Sequence, residues 1–205
     1  MIIKNIVFDV GGVLLKNGTR QFVQEFITHK EDIDVIDREL FHSVERVQLD
    51  RGIISKEVAF SQMLSRVPIR SREEAMQAYD KYMSNRKVVN GMVELLQKLK
   101  KQGHNLYVLS NFSTDFWDVI KQNRLDFFDL FEGVFVSSFY QVVKPEKEIY
   151  ERFLAKYNLE AESCLFVDDK AENVEAAKQR GFDGFHFGGN VVELEEYINT
   201  ITETV

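Results

Sequence analysis

The sequence predicts an α/β fold with a parallel sheet and an inserted helical region. Two observations lead to this prediction. In the second half of the chain, short β-branched or apolar runs alternate with amphipathic helical patterns, which is typical of a parallel sheet covered by helices on both faces. One further apolar run stands alone near the N-terminus, and a long stretch of purely helical pattern follows it.

The first predicted strand covers residues 2–9, IIKNIVFD, and ends at Asp9. Residues 15–88 then show apolar positions at helical spacing in four successive stretches. The fourth helix is predicted to begin at Ser71, because Glu74 follows it at the spacing of a capping box. Four helices without an intervening strand predict an all-helical cap over 15–88.

Helices and strands alternate from residue 89 onward. The predicted helices cover 92–102, 114–123, 146–157, 171–180 and 191–201, and the predicted strands cover 105–110, 133–137, 163–168 and 184–187. We therefore predict that residues 1–14 and 89–205 form one three-layer, Rossmann-like core.

Composition narrows the range of partners. The net charge is −7, which argues against a broad nucleic-acid or anionic-membrane surface, so we expect neither partner. Nothing in the sequence approaches 18 consecutive apolar residues, the length of a membrane-spanning helix. The single cysteine, Cys164, lies in the apolar run SCLFV and is expected to be a buried thiol. A lone cysteine forms no internal disulfide, which favours a cytoplasmic location.

Polar residues follow the predicted strands. They are Asp9 after the first strand, Ser110 and Asn111 at the second, Lys144 beyond the third, and Asp168 and Asp169 at the fourth. Ligands bind at the carboxyl ends of such strands, so these residues should share one rim. Clustered carboxylates favour Mg²⁺, and a lysine can keep a nucleophilic carboxylate ionised. Such a set can transfer a phosphoryl group through an aspartyl-phosphate.

Each of these residues also has a structural alternative. Asp9, the Ser110–Asn111 pair and the Asp168–Asp169 pair could cap the turns or helices that follow them. Lys144 could be an ordinary loop lysine. The presence of all four groups at strand ends of one sheet favours the functional interpretation.

Four segments, in order, resemble the motifs of the haloacid dehalogenase-like superfamily, most of whose members are Mg²⁺-dependent phosphatases. They are FDVGGVLL, VLSN, VVKPEKEIYERFL and CLFVDDKAENVEAAKQRG. The helical insertion is similar to the small helical cap of that superfamily. The segment QLDRGIISKEVAF is similar to a stretch in the branch that contains bacterial α-glucose-1-phosphatase and the N-terminal phosphatase domain of epoxide hydrolase.

The resemblance implies a role for each matching residue. Asp9 would be the nucleophile and a metal ligand, and Lys144 would pair with it and with the phosphate. Ser110 would bind the transferring phosphoryl group, with the Asn111 backbone beside it. The metal would be held by Asp169 and the Gly11 backbone carbonyl, with Asp168 as a second ligand or a group behind the ligands. Asn173, on the following helix, would orient a metal-bound water.

Gly11 departs from the resemblance. Most phosphatases of the family carry an Asp there, which protonates the leaving group and then activates water. A glycine keeps the carbonyl, but general acid–base help worth about 10²–10⁴ in rate would be missing. His42 and Glu45, in the predicted cap, are candidates for the proton donor by residue type.

The resemblance implies a Mg²⁺-dependent phosphatase of small phosphorylated metabolites, with sugar phosphates as one candidate class. One alternative is a phosphate- or metal-binding module that no longer turns over, suggested by Gly11. The other is a 2-haloacid dehalogenase, which would need no metal. The sequence carries no signal for an oligomeric state.

Overall fold

The computed structural model describes residues 3–202. Residue 2, where the first predicted strand begins, lies outside the described residues, as do residues 1 and 203–205 of the predicted core. Within the described range, none of the helices is long and apolar enough to cross a bilayer.

A five-stranded parallel sheet lies at the centre of the described chain. Its strands are β1 (Asn5–Phe8), β2 (Asn105–Ser110), β3 (Gly133–Val136), β4 (Cys164–Asp168) and β5 (Asp183–His186), in the order β3-β2-β1-β4-β5. All four residues of β1 are buried, as expected for a central strand that is covered on both faces. The predicted α/β fold with a parallel sheet is confirmed.

Helices cover both faces of this sheet. They are α6 (Met92–Lys101), α7 (Phe116–Gln122), α8 (Lys147–Tyr157), α9 (Ala171–Lys178) and α10 (Val191–Thr202). Side chains alternate along β1: Ile6 and Phe8 pack with α6, α7 and α10, whereas Val7 packs with α8 and α9. The three layers follow from this alternation. The observed elements lie within a residue or two of the bounds predicted after residue 89.

Five α-helices precede these within the described part of the chain. They are α1 (Thr19–Phe26), α2 (Ile33–Phe41), α3 (Val44–Arg51), α4 (Lys56–Ser65) and α5 (Arg72–Ser84). The prediction of four helices was wrong, because the apolar stripe through residues 40–47 is broken between α2 and α3. Ser43 has an extended backbone there, and its side chain accepts a hydrogen bond from the Arg46 N–H, which starts a new helix.

The predicted capping box at Ser71 was also wrong. The Ser71 hydroxyl donates to Asp32 at 2.7 Å, and Glu74 accepts from the backbone N–H and the hydroxyl of Thr28. Tertiary partners therefore take both side chains away from the start of α5, where no side-chain cap is formed.

Two linkers join the five-helix region, α1–α5, to the sheet, and they run side by side. The Lys16 N–H donates to the Lys87 carbonyl, and Leu15 forms an antiparallel bridge with Val88. This pairing fixes where the helices stand relative to the end of β1. Below we call the α1–α5 region the cap.

Cys164 begins β4 and is buried, as predicted. Burial raises the pKa of its thiol to about 11. It is therefore a neutral core side chain and not a reactive thiolate.

Candidate active site

Three carboxylates meet at the carboxyl edge of the sheet. Asp9 follows β1, Asp168 ends β4, and Asp169 comes directly after it; one oxygen from each lies within 4.8 Å of the others. The pairing of β1 with β4 sets Phe8 opposite Val167, so the next residue of each strand projects at the same edge. Parallel register thus brings together the carboxylates that the sequence places at two distant strand ends.

Lys144 lies among these carboxylates. Its Nζ is 2.8 Å from Asp9 Oδ1 and 2.6 Å from Asp168 Oδ2, and its side chain is buried. Burial favours the neutral amine, but attraction to Asp168 and Asp9 outweighs it and raises the pKa of Lys144. Asn111 holds the lysine backbone, because its Oδ1 accepts from the Lys144 N–H at 2.8 Å and its Nδ2 donates to the Lys144 carbonyl at 3.0 Å.

Asp168 is surrounded by donors. Besides Lys144, it accepts the Lys170 backbone N–H at 2.8 Å and the Asn173 side-chain amide at 3.0 Å on both oxygens. The structure therefore places Asn173 against Asp168. Its role in orienting a metal-bound water stays a prediction.

The site carries an excess of negative charge. Burial raises the pKa of Asp9 to about 7; Lys144 opposes this effect, and repulsion from Asp168 adds to it. Within residues 3–202, Lys144 pairs with Asp9 and Asp168, whereas Asp169 forms no ion pair, and buried uncompensated charge is unfavourable. A divalent cation would remove the imbalance, and the all-oxygen donor set fits Mg²⁺.

Gly12 lets the turn after β1 approach Asp169. Its φ is +77°, and a Cβ there would lie 2.1 Å from Asp169 Oδ2. Asn17 holds the same carboxylate, with Nδ2 donating to Asp169 Oδ2 at 2.9 Å. A Cβ at Gly11 would lie 3.3 Å from Asn17 Oδ1, so Asn17 borders the space that an acidic side chain at position 11 would enter. Sequence reasoning missed Asn17, which no strand end or motif marks.

A cavity of about 630 Å³ lies between this edge and the cap. Core residues that line it include Asp9, Gly11, Asn17, Asn111, Lys144 and Asp169. Ser110 is buried at the end of β2, and the two residues that follow it, Asn111 and Phe112, line the cavity. The phosphoryl-binding role of Ser110 stays a prediction.

The cap contributes charged side chains that sequence reasoning did not select. Arg46 pairs through two nitrogens with Asp50 and donates to the Tyr79 hydroxyl at 2.9 Å. Arg51 pairs with Glu146 of the core at 2.9 and 2.5 Å. These contacts tie α3 to the rim of the cavity.

The backbone of α3 also docks on the core. The Ser137 hydroxyl donates to the Asp50 carbonyl at 2.5 Å. A Cβ at Gly52, which has a φ of +75°, would lie 2.4 Å from the Ser138 carbonyl oxygen. The helix end and the loop after β3 therefore meet at a distance that only glycine allows.

The two candidate proton donors of the cap lie in different places. His42 lines the cavity, and its Nε2 is 3.5 Å from Asp37 Oδ2. Glu45 instead accepts two hydrogen bonds from Arg66, at 2.9 and 2.6 Å, and these hold the pKa of Glu45 below its usual value. Glu45 is therefore an ionised partner of Arg66.

The chain is similar to known hydrolases over most of its length. The profile of the haloacid dehalogenase-like hydrolase family matches residues 3–181. The chain is 30% identical over 193 residues to the sesquiterpene phosphatase astK of Aspergillus oryzae, covering 94% of each protein. It is 25% identical over 147 residues to flavin mononucleotide hydrolase 1 of Arabidopsis thaliana, covering 71% of this chain and 58% of that protein.

A solved structure shows the same fold. An enzyme of Bacteroides thetaiotaomicron, crystallised with magnesium and inorganic phosphate, superposes with a TM-score of 0.74 at 21% identity, covering 94% of this chain and 98% of that one. Together with the family profile, these similarities establish that the chain belongs to the haloacid dehalogenase-like hydrolases.

Proposed function

We propose that this protein is a Mg²⁺-dependent phosphatase that hydrolyses small phosphate monoesters. One observation carries the proposal: three carboxylates and a buried lysine meet at a sheet edge that opens into a cavity lined by the cap. Relatives named as phosphatases, and a structural neighbour crystallised with magnesium and phosphate, support it.

The acidic residues divide into two tasks. Asp169, Asp9 and the Gly11 backbone carbonyl would hold Mg²⁺, with Asp168 as a second ligand or as the group that holds Lys144. When bound, the ion supplies positive charge to the oxygens of the phosphoryl group. Lys144 favours the ionised form of Asp9, against the effect of burial, and attracts the same oxygens.

Asp9 is the proposed nucleophile. One carboxylate oxygen forms a bond to phosphorus while the bond from phosphorus to the ester oxygen breaks, which leaves an aspartyl-phosphate and an alkoxide that takes up a proton. Water then attacks this phosphorus, the bond to the Asp9 oxygen breaks, and inorganic phosphate leaves. Ser110 and Asn111 are the proposed contacts of the transferring group.

Gly11 cannot protonate the leaving group. Among the described residues that line the cavity, His42 is the one imidazole, and Asp37 lies behind it. We infer that His42 delivers this proton when the substrate is bound. Its replacement by Asn should lower hydrolysis of alkyl phosphates more than that of p-nitrophenyl phosphate, whose leaving group needs little protonation.

The test is phosphate release from a panel of esters, with Mg²⁺ or with EDTA. The panel includes p-nitrophenyl phosphate, flavin mononucleotide, glyceraldehyde 3-phosphate, glucose 1-phosphate and a sesquiterpene phosphate. Wild type is compared with Asp9→Asn and with Asp129→Asn, an exposed aspartate outside this cavity. Release that requires Mg²⁺ and is lost only in Asp9→Asn supports the proposal.

Other outcomes identify the alternatives. Halide release from a 2-haloacid that persists in EDTA would indicate a dehalogenase. Binding of Mg²⁺ and phosphate without hydrolysis of any ester would indicate a module that no longer turns over. Gly11→Asp then asks whether activity returns once a side-chain acid is supplied.

A further inference from the structure

Arg86 lies in the second linker between cap and core, and its side chain lines the cavity. Its backbone is fixed, because its N–H donates to Asn123 Oδ1 at 2.7 Å and Asn123 Nδ2 donates to the Met83 carbonyl at 2.8 Å. Its guanidinium carbon is 4.4 Å from the centre of the Tyr82 ring. Tyr82 is itself buried. The guanidinium is therefore held in one orientation by a fixed backbone and a rigid aromatic support.

Arg86 differs from the other arginines of the cavity. Arg46 is paired with Asp50 and Arg51 with Glu146. The side chain of Arg86 forms no ion pair or hydrogen bond within residues 3–202, and its Nε is buried without a partner. A guanidinium at a cavity wall that no carboxylate of the described residues neutralises is suited to a ligand that brings its own acceptors.

The chemistry of that ligand follows from the guanidinium. A planar fork of N–H donors matches two oxygens of a carboxylate or phosphate, and the positive charge strengthens both hydrogen bonds. The transferred phosphoryl group already has Lys144 and the proposed metal at the sheet edge. Arg86 instead stands on Tyr82 of the cap, so its oxyanion belongs to another part of the substrate.

We propose that Arg86 is a specificity residue that binds a second oxyanion on the substrate, a carboxylate or a second phosphate. The substrate class is then a phosphate monoester that carries one further acidic group. This inference rests on the proposed function for the identity of the transferred group. Its own subject is the guanidinium of Arg86, at the cap side of the cavity.

Binding is measured so that turnover is not required. Asp9→Asn protein with Mg²⁺ is titrated with three probes: phenyl phosphate, 4-carboxyphenyl phosphate and 1,4-phenylene bisphosphate. Adding Arg86→Gln should weaken binding of the two probes that carry a second anion by about 10-fold or more, and that of phenyl phosphate by less than about 2-fold. Arg86→Lys should recover part of the affinity. The relative losses of the two probes that carry a second anionic group show whether carboxylate or phosphate is preferred.

Arg180→Gln is the matched control. Arg180 also has a buried Nε without a partner, but it follows α9 and does not line this cavity, so all three affinities should stay unchanged. Thermal melting of each variant verifies folding. Equal losses for all probes would overturn the proposal by assigning Arg86 to the transferred phosphoryl group. Unchanged affinity for every probe would also overturn the proposal. So would a failure of the two probes with a second anionic group to bind before Arg86 is changed.

Because binding is read without hydrolysis, failure of the proposed function is a separate result. Suppose that wild type hydrolyses none of the probes, and that Arg86→Gln still weakens binding of the two probes with a second anionic group. This result would keep the inference and contradict the phosphatase assignment. Hydrolysis by wild type without a selective loss of affinity in Arg86→Gln would keep the phosphatase assignment and contradict this inference.

Discussion

The sheet edge and the Glu39–Glu45 network of the cap both bury carboxylates, but only in the network is each carboxylate paired with arginine. At the edge, Lys144 pairs with Asp9 and Asp168, and Asp169 is the third carboxylate of the cluster. The pKa of Asp9 rises to about 7, mainly because it is buried. The edge is electrostatically incomplete as long as no cation joins it.

In one network of the cap, two arginines face two buried glutamates. Arg66 bonds both Glu39 and Glu45, and Arg38 also pairs with Glu39. Hydrogen bonds from these arginines outweigh burial and hold the pKa of Glu39 below its usual value. This network ties α2, α3 and the end of α4 together and leaves no charge to be satisfied by a ligand.

This contrast offers a way to separate structural charge from functional charge in one molecule. Balanced groups hold helices together. For the unbalanced groups that line the cavity we propose a ligand: a cation among the carboxylates, and an oxyanion at Arg86. Substitutions at the sheet edge and in the cap should therefore have different effects.

The largest effect is expected at the sheet edge. Asp9→Asn removes the proposed nucleophile, so phosphate release should fall by at least about 10³-fold. Without Mg²⁺, the melting temperature should not fall, because the change removes a buried carboxylate that Asp168 and Asp169 repel. Phosphate release and thermal melting measure the two effects. Wild-type rates in the variant would remove Asp9 from the mechanism.

The next largest effect is expected at Gly12, in the turn after β1. Gly12→Ala would place a Cβ 2.1 Å from Asp169 Oδ2, and displacing this carboxylate should weaken Mg²⁺ binding by about 10-fold or more. Gly103→Ala is the control, because Gly103 also has a positive φ, +90°, with nothing within 4 Å. Both changes should destabilise the fold by about 1 kcal/mol, but only the first should change the metal affinity measured by calorimetry. Equal affinities would show that the turn does not position Asp169 for the metal.

Breaking the Arg66 network should lower the stability of the fold and leave hydrolysis unchanged. Arg66→Gln leaves Glu39 and Glu45 with fewer partners; because Arg66 is 41% exposed, we expect a loss of about 1–2 kcal/mol in the free energy of unfolding. Arg20→Gln breaks an exposed pair with Asp34 and should change it by less than about 0.5 kcal/mol. Urea unfolding measures both, and hydrolysis per folded molecule should be unchanged. Loss of hydrolysis at full stability would place Arg66 in the functional part of the cap.

The smallest effect concerns pH. Hydrogen bonds from Arg70 and Ser71 lower the pKa of Asp32 from 3.8 to about 2. A carboxylate whose pKa is depressed on folding stabilises the protein above its unfolded pKa and loses that contribution as the pH falls through its folded pKa. The melting temperature of Asp32→Asn should therefore lie below that of wild type near neutral pH, and the gap should close between about pH 4 and pH 2. A gap that is independent of pH would mean that Asp32 does not act through its charge.

Sequence reasoning found the sheet edge because parallel strands impose simple geometry. Asp9 follows β1 and the Asp168–Asp169 pair lies at the end of the neighbouring β4, whereas Lys144 follows β3, which β2 separates from β1. All of them lie beyond the carboxyl ends of parallel strands, so their order along the chain was enough to predict one shared edge. The close approach of Gly12 to Asp169 was not foreseen, since it depends on the path of the turn after β1.

The cap side of the site could not be predicted in the same way. Whether Arg46 or Glu45 faces the cavity depends on the rotation of α3, which starts anew at Ser43. Arg86 lies beyond the end of α5, where no periodicity applies. Its importance appears only when the absence of an acidic partner among the described residues is known.

Calorimetric titration of Mg²⁺ into wild type, Asp169→Asn and Asp129→Asn tests most directly whether unbalanced charge at the sheet edge forms a cation site. We predict one Mg²⁺ bound by wild type and by Asp129→Asn, with affinity lowered by about 10-fold or more in Asp169→Asn. Equal binding by all three proteins, or none by wild type, would contradict the account.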